Sequence, residues 1–370
     1  MPNSKSAQTR KRSRLIWLVF AISLLVICAL VIRFQYINFK NKLNGLSFEL
    51  SPVQVVEYKQ EEHETDLEKV HYEKATLTAK LSKPTDNQQE SYRCDTSDFA
   101  LEQQTQWQQQ IEALDSDFQP HHIVINDDVS VTLYAKNLTA EFVKELQARL
   151  FYVYELYGSH FHIRAVRKLN LKMIMLPDQA SYDTFGSMFI DNYVPGTSQG
   201  LFFHGSDSAF IKYQNEQQAI ETALHEAIHG LNFHLIGVMP LAINEGLAEL
   251  FSSMVKSGAN QATIDFDETN EQLMQHESFQ TIVNSKEQWD ANDTSRYYMS
   301  GKLWLTFFFM EEKGLLLLRA LLREERKETC TLLEEEEVLA LVIDFYLNYE
   351  IEFKNWLNHH FLDIPDNLRD

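Results

Sequence analysis

The stretch "ETALHEAIHGLNFHLIGVMPLAINEGLAELF", from Glu221 to Phe251, constrains this chain more than any other. Its apolar residues recur at helical spacing, and within it His225 and His229 stand four apart. At 3.6 residues per turn two such side chains share one face, about 40° apart and one turn above the other. Two imidazoles so placed can grip one zinc ion. Glu226 lies beside the first histidine, within reach of a water at that ion. Gly237 and Pro240 break the helix, and "LAINEGLAELF" restarts one. Glu245 on the second helix can return a carboxylate to the ion, making two His and one Glu with a fourth position for water. Glu249, one turn further on, can accept the N–H of a ligand imidazole and orient it.

His234 is a rival third ligand. The metzincin pattern needs a glycine at position 232 and a histidine at 235, and this chain has Asn232 and Leu235. His204, His276, His359 and His360 have no spacing that recruits them.

A second feature governs where such a site would work. Residues 1–14 carry Lys5, Arg10, Lys11, Arg12 and Arg14 and no acid. Then "LIWLVFAISLLVICALVI", Leu15 to Ile32, has no charge at all, and Arg33 closes it. As a helix rising about 1.5 Å per residue this run spans roughly 27 Å, near the thickness of a bilayer core. It is longer than a signal-peptide core and no small-x-small cleavage pattern follows. The basic flank belongs on the cytoplasmic side, so the expectation is a type II single-pass protein. Six of the 33 basic residues fall at or before Arg33 and none of the 53 acids does, so the rest carries about −26. That balance argues against nucleic acid and anionic lipid surfaces as partners.

The remaining chain divides by pattern. Residues 33–118 read as a juxtamembrane segment and connector, with some strand character in "LSFELSPVQVVEY" and one helix around "ALEQQTQWQQQIEAL". From there "HHIVIN", "SVTLYAKN", "LNLKMIML", "GLFFH" and "SAFIKY" alternate like strands, the last two as a hairpin around Gly205-Ser206-Asp207. "TAEFVKELQARLFYVYELYG" has helical spacing, and Asn215 caps the motif helix with Gln218 in the capping-box position. After Phe251 helices are expected almost throughout. The Trp304–Met310 run is stopped by Glu311, Glu312 and Lys313, too short for a second span. The fold class is α+β: a mixed-sheet lobe at 119–256, then a helical lobe at 257–370. Cys94 and Cys330 are the cysteines outside the anchor, and in an oxidising compartment they are expected to pair. No Cys-x-x-Cys suggests a thiolate zinc site.

"HEAIH" followed by "NEGLAELF" resembles the gluzincin metallopeptidases, the thermolysin-like and aminopeptidase-N-like zinc enzymes, and in style the bacterial peptidase-MA-like domains. The similarity runs over about 118–362. It implies a zincin-like lobe with His225, His229 and Glu245 as zinc ligands and Glu226 as general base. "YMSG", Tyr298 to Gly301, is similar to the place where aminopeptidase-like members put an oxyanion-stabilising Tyr. Tyr298 would take that role, with Tyr297 as its competitor. Ala242 and Ile243 stand where the family often has an aromatic residue, so the pocket shape departs from the pattern. No signature for binding a free amino terminus is evident. "GLFFH" is the segment expected to pair with an extended substrate.

The reading is a membrane-anchored zinc metallopeptidase, with a peptide or protein of the cell envelope as substrate and the bilayer contacting residues 15–32. A bacterial inner membrane with the catalytic part in the periplasm is expected. In an ER or Golgi membrane "NLT" and "NDT" would be glycosylation sequons. The alternative from another class is a membrane-tethered zinc-binding scaffold that does not hydrolyse anything. A helical interaction domain without metal is the third.

Overall fold

A computed structural model describes residues 46–49 and 98–361, apart from 115, 190–194, 196–197, 257–260, 267–269 and 285–293. Residues 15–32 and Cys94 lie outside them. Among the described residues no helix is long and apolar enough to cross a membrane.

The first elements are β1 (Leu46–Glu49), α1 (Asp98–Ala113), β2 (Gln119–Val124), β3 (Val129–Ala135), α2 (Ala140–His160), β4 (Leu169–Leu176) and α3 (Gln179–Phe189). The hairpin β5 (Gly200–Phe203) and β6 (Ser208–Lys212) precedes α4 (Glu216–Leu235) and α5 (Leu241–Ser252). Next come β7 (Met254–Lys256), β8 (Gln261–Ile264) and the short α6 (Asn270–Met274) and α7 (Phe279–Val283). The chain then continues as α8 (Thr294–Met310), α9 (Glu312–Glu325), α10 (Glu335–Phe345) and α11 (Tyr349–His360).

The architecture is mixed α+β, with a five-stranded sheet and a helical C-terminal region. The sheet runs β2-β3-β4-β6-β5, with β3, β4 and β6 parallel and both outer strands antiparallel to their neighbours. Side chains alternate faces along a strand. Leu171, Met173, Met175, Ala209 and Ile211 enter the main core with α2 and α4. Ile174, Leu176 and Phe210 enter a second core with Trp107, Tyr182 and Phe203. Both faces are therefore covered, which is why β6 is buried at all five positions.

Two features differ from the sequence reading. Trp107 of α1 stacks on Phe210 at 5.6 Å and is 3% exposed, so the helix expected in a connector is part of the sheet's second face. The pattern there is polar because one tryptophan, with Ile111 and Leu114, suffices to dock it. The second concerns the chain after Phe251, where β7 and β8 form an antiparallel pair and β8 also pairs with β1. A boundary at 256/257 would cut that hairpin. Strands of three and four residues show little of a period, and these two lie in a stretch expected to be helical.

Candidate metal centre

Helix α4 begins as its sequence dictates. Asn215 Oδ1 accepts from Gln218 N at 3.0 Å, and Gln218 Oε1 accepts from Gln214 N rather than from the cap residue, also at 3.0 Å. Ala219, Ala223, Ala227 and Gly230 are buried at helical spacing and let α4 lie close to the sheet. A Cβ on Gly230 would stand 2.6 Å from Leu171 Cδ2, so any larger residue would have to push that side chain aside. The helix ends at Leu235. Gly237 turns the chain at φ +130°, a value that favours glycine, and Pro240 leads into α5.

The turn brings α5 back so that its Glu245 faces both histidines. His225 Nε2 and His229 Nε2 lie 3.0 Å apart, and Glu245 Oε2 is 3.3 Å from each. Around a tetrahedral zinc with bonds of about 2.0–2.1 Å, neighbouring donors stand roughly 3.3 Å apart. The donor set therefore fits that ion. Glu245 Oε2 is buried and aligned as hydrogen-bond acceptor to neither imidazole. The three ligand atoms are gathered closely enough to share one ion.

The electrostatics agree. Burial opposes charge on His225, but the contacts to Glu245 and Glu249 outweigh it and raise its pKa well above the usual imidazole range. Burial likewise opposes charge on His229, and Glu245 reverses the sign. Glu245 is held ionised against its own burial by the two histidines. The site attracts positive charge, which a divalent ion supplies without two imidazolium groups facing each other. His225 Nδ1 points the other way, 3.3 Å from Glu249 Oε1. Burial opposes Glu249 too, and His225 and Lys302 nonetheless keep its pKa low.

Glu226 is 5% exposed, and its pKa is raised, chiefly by that burial. Strand β5 passes against it. A Cβ on Gly200 would collide with the Glu226 carboxylate and stand 2.6 Å from Thr222 Cγ2. Lys212 N donates to Gln199 O. With Gly200 opposite Ile211, this sets the hydrogen-bonded pairs at Leu201 and Phe203. The N–H and C=O groups of Gly200 and Phe202 therefore point away from β6, toward the edge where the sheet ends among the described residues. Tyr298, on α8, has its ring centroid 6.2 Å from that of His225. Tyr297 packs partly buried against the core.

His234 is not drawn into the cluster. Its Nε2 pairs with Asp207 at 2.9 Å and its Nδ1 with Arg167 at 3.0 Å, tying the end of α4 to the β5–β6 turn. His204 stacks on Phe233 at 4.7 Å. Cys330 is disulfide-bonded, and the chain's other cysteines, Cys28 and Cys94, fall outside the described residues.

Three contributors escaped the sequence reading. Gly200 is one. Lys302, buried on α8, donates to Asp265 O at 2.6 Å and adds positive charge near Glu249. Its only signal was a charge at the head of "KLWLTFFFM". The third is a side-chain link between α4 and α5: Asn232 Nδ2 donates to Asn244 Oδ1 at 2.8 Å. A lone amide inside the apolar run "AIHGLNFHLIG" could have flagged it.

No protein-family model matches this chain, and no curated protein does. Among solved structures it is similar to a mutant form of an M1 zinc metallopeptidase from Deinococcus radiodurans, with TM-score 0.33 and 12% identity. That similarity covers 67% of this chain and 52% of the other, so this chain spans about half of that protein's length.

Proposed function

We propose that the chain is a membrane-anchored zinc peptidase in which His225, His229 and Glu245 hold the metal and Glu226 moves the proton. The observation that carries this is the pairing of a three-donor cluster with a separate buried carboxylate. The cluster accounts for binding an ion, and Glu226 is the group that a merely structural site would not need.

Zinc held there would polarise the scissile carbonyl and make the attacking water more acidic. The protein's own part is then fourfold. Glu249 receives the Nδ1–H of His225 and so keeps its Nε2 free as a donor to the ion. Glu226 takes the proton of the attacking water and passes it to the leaving amine. Its raised pKa suits both directions of that transfer. Tyr298 donates to the oxygen on which charge develops. Gly200 and Phe202 offer main-chain groups to an extended peptide, which would add a strand beside Glu226. Residues 15–32 anchor the chain, residues 1–14 face the cytoplasm, and the substrate is a peptide or protein of the cell envelope.

The test is elemental analysis of the purified protein together with a peptide-library digest, comparing wild type with Glu226→Gln. The variant is expected to retain one zinc and lose cleavage. A variant that cleaves as well as wild type would sink the role of Glu226. A wild-type protein that binds zinc and cleaves nothing in the library would favour the scaffold.

A further inference from the structure

The ligand nitrogens of His225 and His229 belong to one helix, and their separation is set by helical geometry. Glu245 belongs to another helix, and its distance from them is set by how α4 and α5 dock. Ile228, Leu231 and Leu235 of α4 and Ala242 and Ile243 of α5 are all buried in the same apolar core. Apolar packing is non-directional and does not by itself fix the position of one carboxylate oxygen. The usual way to orient a ligating imidazole is through its second nitrogen. His225 has such a partner in Glu249. His229 Nδ1 is buried with no hydrogen-bond partner among the described residues.

A chain of directional bonds supplies what is missing. Tyr157, fully buried on α2, donates its O–H to Asn232 Oδ1. Asn232 Nδ2 donates to Asn244 Oδ1 at 2.8 Å. Asn232 lies three residues after His229, and Asn244 directly precedes Glu245. The backbone carbonyl of Asn232 also ends α4, accepting from Ile236 N at 2.9 Å and Gly237 N at 3.1 Å. The loop so begun is held from the far side: Val238 N donates to Thr329 O at 2.9 Å. One residue thus ends the first metal helix through its backbone carbonyl, and its side chain grips the second helix and is braced by Tyr157 on a third.

We propose that Tyr157, Asn232 and Asn244 are positioning residues that hold Glu245 at ligand distance from His225 and His229. This rests on the zinc reading of the site. The chain orders both Asn amides, since Asn232 must present its oxygen to Tyr157 and its nitrogen to Asn244. Loss of any member frees α5 to slide on α4 and moves the carboxylate relative to the imidazoles.

The experiment measures two quantities on the full-length protein in detergent. One is zinc affinity, by competition with a chromophoric chelator; the other is the Tm of the metal-free form. Variants are Tyr157→Phe, Asn232→Ala and Asn244→Ala, with Leu150→Ala on α2 as a control for plain core loss. Asn232→Ala and Asn244→Ala are each expected to weaken zinc about 10–100-fold, the range for removed partners of metal ligands. The double variant should be no weaker than the worse single, because the bond is lost once. Tyr157→Phe should fall between wild type and Asn232→Ala. Leu150→Ala should lower the metal-free Tm and leave zinc affinity near wild type. If Asn232→Ala does not fold, Asn244→Ala carries the same expectation and Tyr157→Phe a smaller loss of zinc affinity. Wild-type zinc affinity in the folded Asn variants would overturn the proposal and leave the zinc reading intact. A wild-type protein that takes up no zinc would overturn both.

Discussion

Gly200 of the edge strand lies directly against the carboxylate of Glu226, with no room between them for a side-chain carbon. This contact joins the strand that would receive a peptide to the group that would move its proton. Gly200→Ala must therefore push either the strand or the carboxylate. The expected result is a loss of about 100-fold in kcat/KM, the cost of roughly 1 Å of misplacement at a reacting group. Zinc content should stay at the wild-type level. A fully active alanine variant would show that the contact has no catalytic consequence.

Glu249→Gln keeps the shape of the side chain and weakens its acceptance of the His225 Nδ1–H. Zinc affinity is expected to drop about tenfold or more while the protein stays folded. His229→Ala removes a ligand outright and should leave the purified protein free of zinc. Elemental analysis and circular dichroism on the same samples separate the two effects.

Chelation should lower thermal stability, because an ion that binds only the folded state stabilises it by mass action. At zinc a hundredfold above its Kd the contribution is about 2.7 kcal/mol. The drop on adding chelator should reverse with added zinc, and should be absent in His229→Ala. Differential scanning calorimetry reads both.

Glu325, in the last turn of α9, is 3% exposed. Burial, with Glu337 nearby, raises its pKa from 4.5 to about 7 against an opposing bond from the Leu333 backbone. The folded state therefore holds this proton to a higher pH than the unfolded chain does. Its contribution is fully present below about pH 4.5 and is lost as pH rises through about 7. Glu325→Gln should remove that slope and raise stability at pH 8 by up to roughly 3 kcal/mol. Denaturant melts at pH 5 and pH 8 test it; an unchanged pH slope would count against a buried, protonated carboxyl.

Cys330 is bonded, and Cys94 is the proposed partner. A thiol count on the unreduced, denatured protein should find one free group, Cys28. Peptide mapping should recover a Cys94–Cys330 fragment that reduction splits.

What the sequence determined by itself is local. The four-position spacing of His225 and His229 dictates a shared helix face, because helical geometry sets that angle within one element. Gly237 and Pro240 dictate a break, because glycine can take a positive φ that other residues avoid and proline fixes its own φ. Alternating apolar residues dictate strands whose two faces enter two cores. What only the tertiary structure decided is everything set between distant elements: Gly200 against Glu226, Lys302 beside Glu249, Tyr157 reaching Asn232, and Trp107 covering the sheet. No periodicity encodes those contacts, since they depend on how separate elements dock. The short strands β7 and β8 belong with them, because their pairing, not their composition, makes them strands.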